Sequence, residues 1–213
     1  MNTPRLNRTA IASTAIRIAD EKGLAAVTLR GIAARLGVHV TSLYNHVPTK
    51  EAVFDEMIKA LVVEAKLPTG ALAWQDWVRR FAAAMRALAH KHPGAFEAFH
   101  YAPAQGERAG EAFEAAFAAF RAGGFGTVSA YNAVKATTLS VLGLMLDDTA
   151  RERRGARRSD VSKLPAERFP HVHEAALVAD DADTFSYLID VLIDGLAASL
   201  RGRRSPHPAD GNS

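Results

Sequence analysis

The chain has 213 residues, 48% of them hydrophobic and 23% charged, enough for one large helical domain or a small domain joined to a larger one. Its net charge of +3 and pI near 9.3 allow a nucleic-acid partner without requiring one. The absence of cysteine excludes disulfides, thiolate metal sites and cysteine nucleophiles. No signal-like apolar run opens "MNTPRLNRTA", and stretches such as "VLGLML" fall far short of the roughly 20 residues of a membrane crossing. The expectation is a cytoplasmic protein with no membrane partner.

Helical spacing dominates and predicts an all-α fold. In the first segment Ile11, Ala15, Ile18 and Ala19 share a face, with Asn7 as N-cap and Gly23 as stop. "TLRGIAARLG" follows, capped by Thr28, with Leu29, Ile32, Ala33 and Leu36 on one side and Gly37 at its end. A short third helix is predicted over about 39 to 45, broken by Pro48. Thr49 starts a fourth that carries Ala52, Val53, Met57, Leu61 and Val62.

"LPTGA" (67 to 71) is a boundary, and beyond it lie three alanine-rich helical stretches. They begin at "WQDWVRRF", "ERAGEAFE" and "VSAYNAVK". "RERRGARRSD" (151 to 160) reads as a solvated loop. In "FSYLIDVLIDGLAASL" (185 to 200) Phe185, Leu188, Ile189, Leu192, Ile193, Leu196 and Leu200 form a stripe, widened by Tyr187 and Val191. That breadth suits packing on the chain's own core and on a second copy. The last residues, 202–213, read as a disordered tail.

Two short helices joined by "LGV" form a helix-turn-helix unit, whose second helix enters the major groove of DNA. Gly37 permits the turn, Leu36 and Val38 anchor it, and Leu43 faces inward. His39, Val40, Thr41, Ser42, Tyr44, Asn45 and His46 are short or flat groups able to approach bases and phosphates. Lys50 adds its charge to a helix N-terminus, and Arg30 is a long donor on the preceding helix. Residues 1 to 60 hold eight Lys/Arg and five Asp/Glu, a net of +3.

The run from "AIRIADEKG" through "TLRGIAARLGV" to "SLYNHVPTKEA" resembles the DNA-binding domain of the tetracycline repressor (TetR) family of bacterial regulators. The resemblance implies phosphate contacts from Thr28, Tyr44, His46 and Lys50. It implies base-facing positions at Arg30, His39, Val40, Thr41, Ser42 and Asn45. The organisation expected is a helix-turn-helix domain over 1–48, a connecting helix over 49–66 and an effector-binding and dimerisation domain over 67–201.

"LP…WQDW", "HPGA", "GLMLDD" and the last helical stripe look like the regulatory domain of the tetracycline-repressor branch. In that branch the last two helices pair across a dimer, which implies interface roles for Tyr187, Leu188, Val191, Leu192 and Gly195. Aligned on Gly94, the place of that branch's magnesium-ligating histidine is taken by Ala98, with His100 two residues later. Asp147 matches an acidic position that holds the metal through water. One acid without its imidazole makes a poor magnesium site, so neither metal nor cofactor is expected.

The pocket expected instead is greasy. Its residues would come from Phe81, Met85, Phe96, Phe99, His100, Tyr101, Phe113, Phe117, Tyr131, Met145 and Asp147, and its effector would be flat and largely apolar. Plain core packing is the competing reading of each aromatic. His90 and His92 are spaced two apart, would point apart on a helix and make no convincing metal pair; His171 and His173, near a proline, could reach a pocket, with surface exposure the default. The function expected is a homodimeric repressor that binds operator DNA and is released by a small molecule. The alternative is a helical carrier or an enzyme in which the helix-turn-helix pattern is incidental. No Gly-rich phosphate loop, H-E-x-x-H or G-x-S-x-G supports the enzyme.

Overall fold

The computed structural model describes residues 6–154, 164–178 and 183–202, and among these residues there is no β-strand. The helices are α1 (Arg8–Lys22), α2 (Leu29–Leu36), α3 (Val40–Tyr44), α4 (Lys50–Ala65), α5 (Trp74–Lys91), α6 (Glu107–Ala122), α7 (Thr127–Arg154), α8 (Pro170–Val178) and α9 (Thr184–Gly202). Two 3-10 segments, Leu24–Ala26 and Ala95–His100, lie between them.

Local chemistry sets the helix ends. The side chains of Asn7, Thr28 and Thr49 accept the backbone N–H groups of Ala10, Gly31 and Ala52, so each first turn gains a partner for an otherwise unpaired donor. Gly37 ends α2 at φ 67°, ψ 31°, a left-handed conformation that a side chain would oppose and that turns the chain directly into α3.

The packing divides the chain into two compact units, Met1–Thr149 and Ala150–Ser213. In the first, α4 packs on α1, α5 and α6. Its buried Val53, Phe54, Met57, Ile58, Leu61 and Val62 cover more of its circumference than one partner can use. Ile11, Ile18, Ile32, Leu43 and Val47 close the core under the helix-turn-helix. Trp74, Trp77, Phe81 and Phe120 build an aromatic core further on, with Trp77 stacked on Phe81 at 5.0 Å.

In the second unit α9 buries Ile189 and Ile193, and α8 buries none of its residues. His173 Nε2 lies 2.9 Å from the Leu164 carbonyl and His171 faces Glu174. Of the loop expected over 151–160, residues 151–154 are helical instead. Arg151 to Arg154 belong to α7, since Arg and Glu are good helix formers. Residues 155–160, and the tail beyond Gly202, lie outside the described residues.

Candidate nucleic-acid interface and ligand cavity

The third helix buries Leu43 alone and leaves its other residues at least partly open. Leu43 is fully enclosed, so it pins the helix while Tyr44, 50% exposed, and the exposed Thr41 and Asn45 face outward. Val40, Ser42 and His46 are half-buried. His39 caps the helix: its Nδ1 lies 2.8 Å from Thr41 Oγ1 and 3.4 Å from the Thr41 backbone nitrogen. Two of the expected base-facing groups are therefore held against each other, which fixes their orientation.

The expected phosphate contacts surround this helix. Thr28 accepts the Gly31 N–H at 3.0 Å, and a hydroxyl that accepts a cap bond still has its own proton to donate. Lys50 opens α4, with its Nζ 5.3 Å from the centre of the Phe54 ring. Arg30 is exposed at the start of α2. Other cations of this region are engaged internally: Arg8 and Lys59 bind Glu56, and Arg35 binds Glu21. The Arg35 hydrogen bonds hold the Glu21 carboxyl below its ordinary range, and they tie α2 to α1.

A cavity of about 550 Å³ lies in the same unit. Helical periodicity builds its walls: Trp77, Phe81 and Met85 recur every fourth residue on α5, and Ala109, Ala112, Phe113 and Phe117 share a face of α6. Tyr131, Val134, Lys135, Thr138, Leu139 and Leu142 make one stripe of α7, and the chain from Phe99 to Ala104 closes a further side. Of the residues expected here, Phe81, Met85, Phe99, His100, Tyr101, Phe113, Phe117 and Tyr131 line it.

Three do not. Phe96 lies on the same side of its 3-10 segment as Phe99, one turn earlier, and is fully enclosed behind it at 5.1 Å between ring centres. Met145 is buried one turn beyond Leu142, past the end of the cavity. Asp147 is exposed and sits about 140° around α7 from Leu142. The signal missed in the sequence was the α7 stripe itself, where Lys135 and Thr138 interrupt the apolar pattern.

With Ala98 fully buried and Asp147 outside the cavity, the residues present do not fit a magnesium ion. Among the described residues no group of three or more His, Asp or Glu could hold a metal. No described helix is long and apolar enough to cross a membrane.

Cavity and helix-turn-helix meet at a polar junction. Asp20, near the end of α1, accepts the backbone N–H groups of Gly94 and Ala95 at 3.1 and 2.8 Å through one oxygen. Its other oxygen is 2.7 Å from His92 Nδ1, and His92 Nε2 is 3.0 Å from a Glu64 oxygen on α4. Burial alone would lower the His92 pKa, but the hydrogen bonds and charges of Asp20 and Glu64 outweigh it and raise the value. Lys91 also binds Glu64 and, with His92, keeps that carboxyl below its ordinary range.

Asp20 thus holds the start of the 3-10 segment whose far end, Phe99 and His100, lines the cavity. A second link runs from Tyr101 of the cavity to Phe54 at 5.6 Å, and from Phe54 to Lys50.

Comparison with known proteins matches the helix-turn-helix and the chain beyond it separately. The family model described as bacterial regulatory proteins, tetR family, matches residues 11–57, and that described as the tetracyclin repressor-like C-terminal domain matches residues 67–200. An HTH-type transcriptional regulator of Saccharopolyspora erythraea is 34% identical over 141 residues, 66% of this chain, and the match spans 60% of that relative's length. The class D tetracycline repressor protein of Escherichia coli is 26% identical over 202 residues, 93% of this chain and 89% of its own. The structure of the Streptomyces coelicolor protein ActR in complex with actinorhodin shares the fold, with a TM-score of 0.76 and 21% identity over 92% of this chain and 97% of that one. Matched along both its halves, the chain belongs to the tetR family of bacterial regulatory proteins and carries a tetracyclin repressor-like C-terminal domain.

Proposed function

We propose that this protein is a cytoplasmic, non-enzymatic repressor that grips operator DNA as a homodimer and lets go when a small, largely apolar molecule fills the cavity. The observation that carries the reading is the exposure of α3, a helix pinned by Leu43 alone with its polar groups turned outward. Arg30 and the residues of α3 would meet base edges, while Thr28, Tyr44, His46 and Lys50 would meet phosphates.

Release requires the effector to prefer the form that cannot bind DNA, by about 1.4 kcal/mol for each tenfold loss of operator affinity. A ligand pressing on Phe99, His100 or Tyr101 acts on α1 through Asp20 and on α4 through Phe54. Both helices carry the helix-turn-helix. A shift there would spoil the match to two half-sites about one helical turn apart.

Binding to the DNA upstream of the protein's own gene, followed by fluorescence anisotropy over a salt series, tests the reading. A sequence-selective complex with a steep salt dependence is expected. Lys50→Ala and Tyr44→Ala should each weaken it by about tenfold, and Lys50→Ala should lower the salt slope by about one, with melting unchanged. Unchanged affinity in both variants would refute the docking of α3.

The dimer would form on α9, where Tyr187 and Val191 are 71% and 48% exposed, Gly195 is exposed, and Leu188 and Leu192 are half-buried beside them. Val191→Arg should shift the sedimenting species from dimer to monomer and weaken operator binding with it. A Val191→Arg protein that remains dimeric at micromolar concentration would place the interface elsewhere.

A further inference from the structure

We propose that the effector is a flat aromatic anion whose acidic oxygen is received by Lys135. This inference rests on the reading of the cavity as the effector site and adds the chemistry of its ligand. Lys135 is the cationic member of the α7 stripe along the cavity, exposed at its open edge between Tyr131 and Leu139. Its neighbours one turn away on that helix are Tyr131, Asn132, Thr138 and Leu139, so no carboxylate on α7 is placed to pair with it.

No ion pair or hydrogen bond joins Lys135 to another described residue, and no Asp or Glu of the described residues lines the cavity. The cations near the helix-turn-helix differ, for Arg8, Arg35 and Lys59 each have a carboxylate partner.

The other polar groups of the wall lean the same way. Trp77 can only donate through its indole nitrogen, and hydroxyls and an ammonium make up most of the rest. The wall has no side-chain amide to offer a carbonyl oxygen. Trp77 Nε1 and Thr138 Oγ1 are both buried without a hydrogen-bond partner. The hydroxyls can donate or accept, but Trp77 Nε1 can only donate, and together with the Lys135 cation it favours a ligand bearing carbonyl, phenolate or carboxylate oxygens.

The shape of that ligand follows from the rings. Trp77 and Phe81 stack with planes only 11° apart, and Phe117 on α6 adds a further aromatic surface. Flat aromatic walls select flat aromatic ligands. His100 adds a second nitrogen base at the other side of the cavity, and no acid opposes either group.

The test uses anthraquinone-2-carboxylate and its uncharged carboxamide, titrated into the full-length protein while tryptophan fluorescence is followed, for wild type and Lys135→Met. The carboxylate should bind the wild type about tenfold tighter than the carboxamide, the usual scale of one charge-assisted hydrogen bond. In Lys135→Met the ratio should fall to about one, with carboxamide affinity and melting temperature unchanged.

Equal binding of the two probes by wild type, or a preference that survives Lys135→Met, overturns the anion and leaves the cavity standing as a site for neutral molecules. If neither probe quenches, the cavity is no aromatic site, and the ligand half of the proposed function falls with the inference while DNA binding is untouched. A variant that turns from dimer to monomer with the ratio intact would assign Lys135 to a second copy of the chain and overturn the inference too.

Discussion

Replacing Gly94 by alanine should lower the melting temperature by about 10 °C and loosen the helix-turn-helix from the rest of its unit. Gly94 has φ −82°, which any residue adopts, so its requirement is for space rather than for backbone freedom. A Cβ there would overlap the Ala19 carbonyl and come within 2.8 Å of the Asp20 Cα, and both are backbone atoms of α1 that cannot swing aside.

The chain must therefore separate at this point. Separation lengthens the two bonds that the Gly94 and Ala95 N–H groups donate to Asp20. Overpacking costs about 1–3 kcal/mol, and lost hydrogen bonds to a charged acceptor add about 1.5–3 kcal/mol each in full. A partial loss of both puts the total at about 4 kcal/mol, or about 10 °C for a chain of this size. Gly110→Ala is the control. It lies within α6 with nothing near its added Cβ, so alanine should raise stability by about 0.5–1 kcal/mol. Circular-dichroism melts of both variants decide the matter, and a Gly94→Ala protein melting within 2 °C of wild type, on the about 4 kcal/mol argued above, would show that the junction yields.

What the sequence disclosed depends on how far apart the interacting groups lie. The caps at Asn7, Thr28 and Thr49 and the stops at Gly23 and Gly37 obey rules that act within four residues, so they were legible directly. The family pattern located α3 for the same reason, since its turn, its anchor Leu43 and its exposed groups are neighbours in the chain.

The cavity was legible only in part. Aromatic spacing marked Phe81, Phe113, Phe117 and Tyr131, but it could not separate Phe99, which lines the cavity, from Phe96, which is sealed in the core. A lysine on an amphipathic helix reads as a solvated face, and Lys135 is exposed, so nothing local marks its place on the cavity's edge. Local spacing pairs His92 with its neighbour His90, whereas its partners Asp20 and Glu64 stand 72 and 28 residues away. Nothing in local periodicity brings such groups together; the packing of α1 and α4 does.

Asp20→Ala should cost about 3 kcal/mol near pH 6 and distinctly less near pH 8.5, because much of what it removes depends on a proton. Both ring nitrogens of His92 face carboxylates, which only accept, so the bonded ring is the imidazolium with a proton on each nitrogen. Its pKa is raised from 6.5. A raised pKa means stability that is fully present below pH 6.5 and is lost as pH climbs through the folded value. Glu64 has the opposite sign. Its pKa is lowered from 4.5, so its contribution is present above that value and fades only as pH falls through the depressed one. Between pH 6 and 8.5 Glu64 stays ionised, and the change in that window belongs to His92. Asp20→Ala removes the imidazolium's nearer partner together with the acceptor of Gly94 and Ala95. It should therefore flatten the fall in stability from pH 6 to pH 8.5 as well as lower the whole curve, whereas His92→Gln should flatten it and leave the two backbone bonds intact. Chemical denaturation of the three proteins at both pH values separates these effects. An Asp20→Ala penalty of the same size at pH 6 and pH 8.5 would mean that the ring is neutral in the folded chain and that the junction is held by the backbone bonds alone.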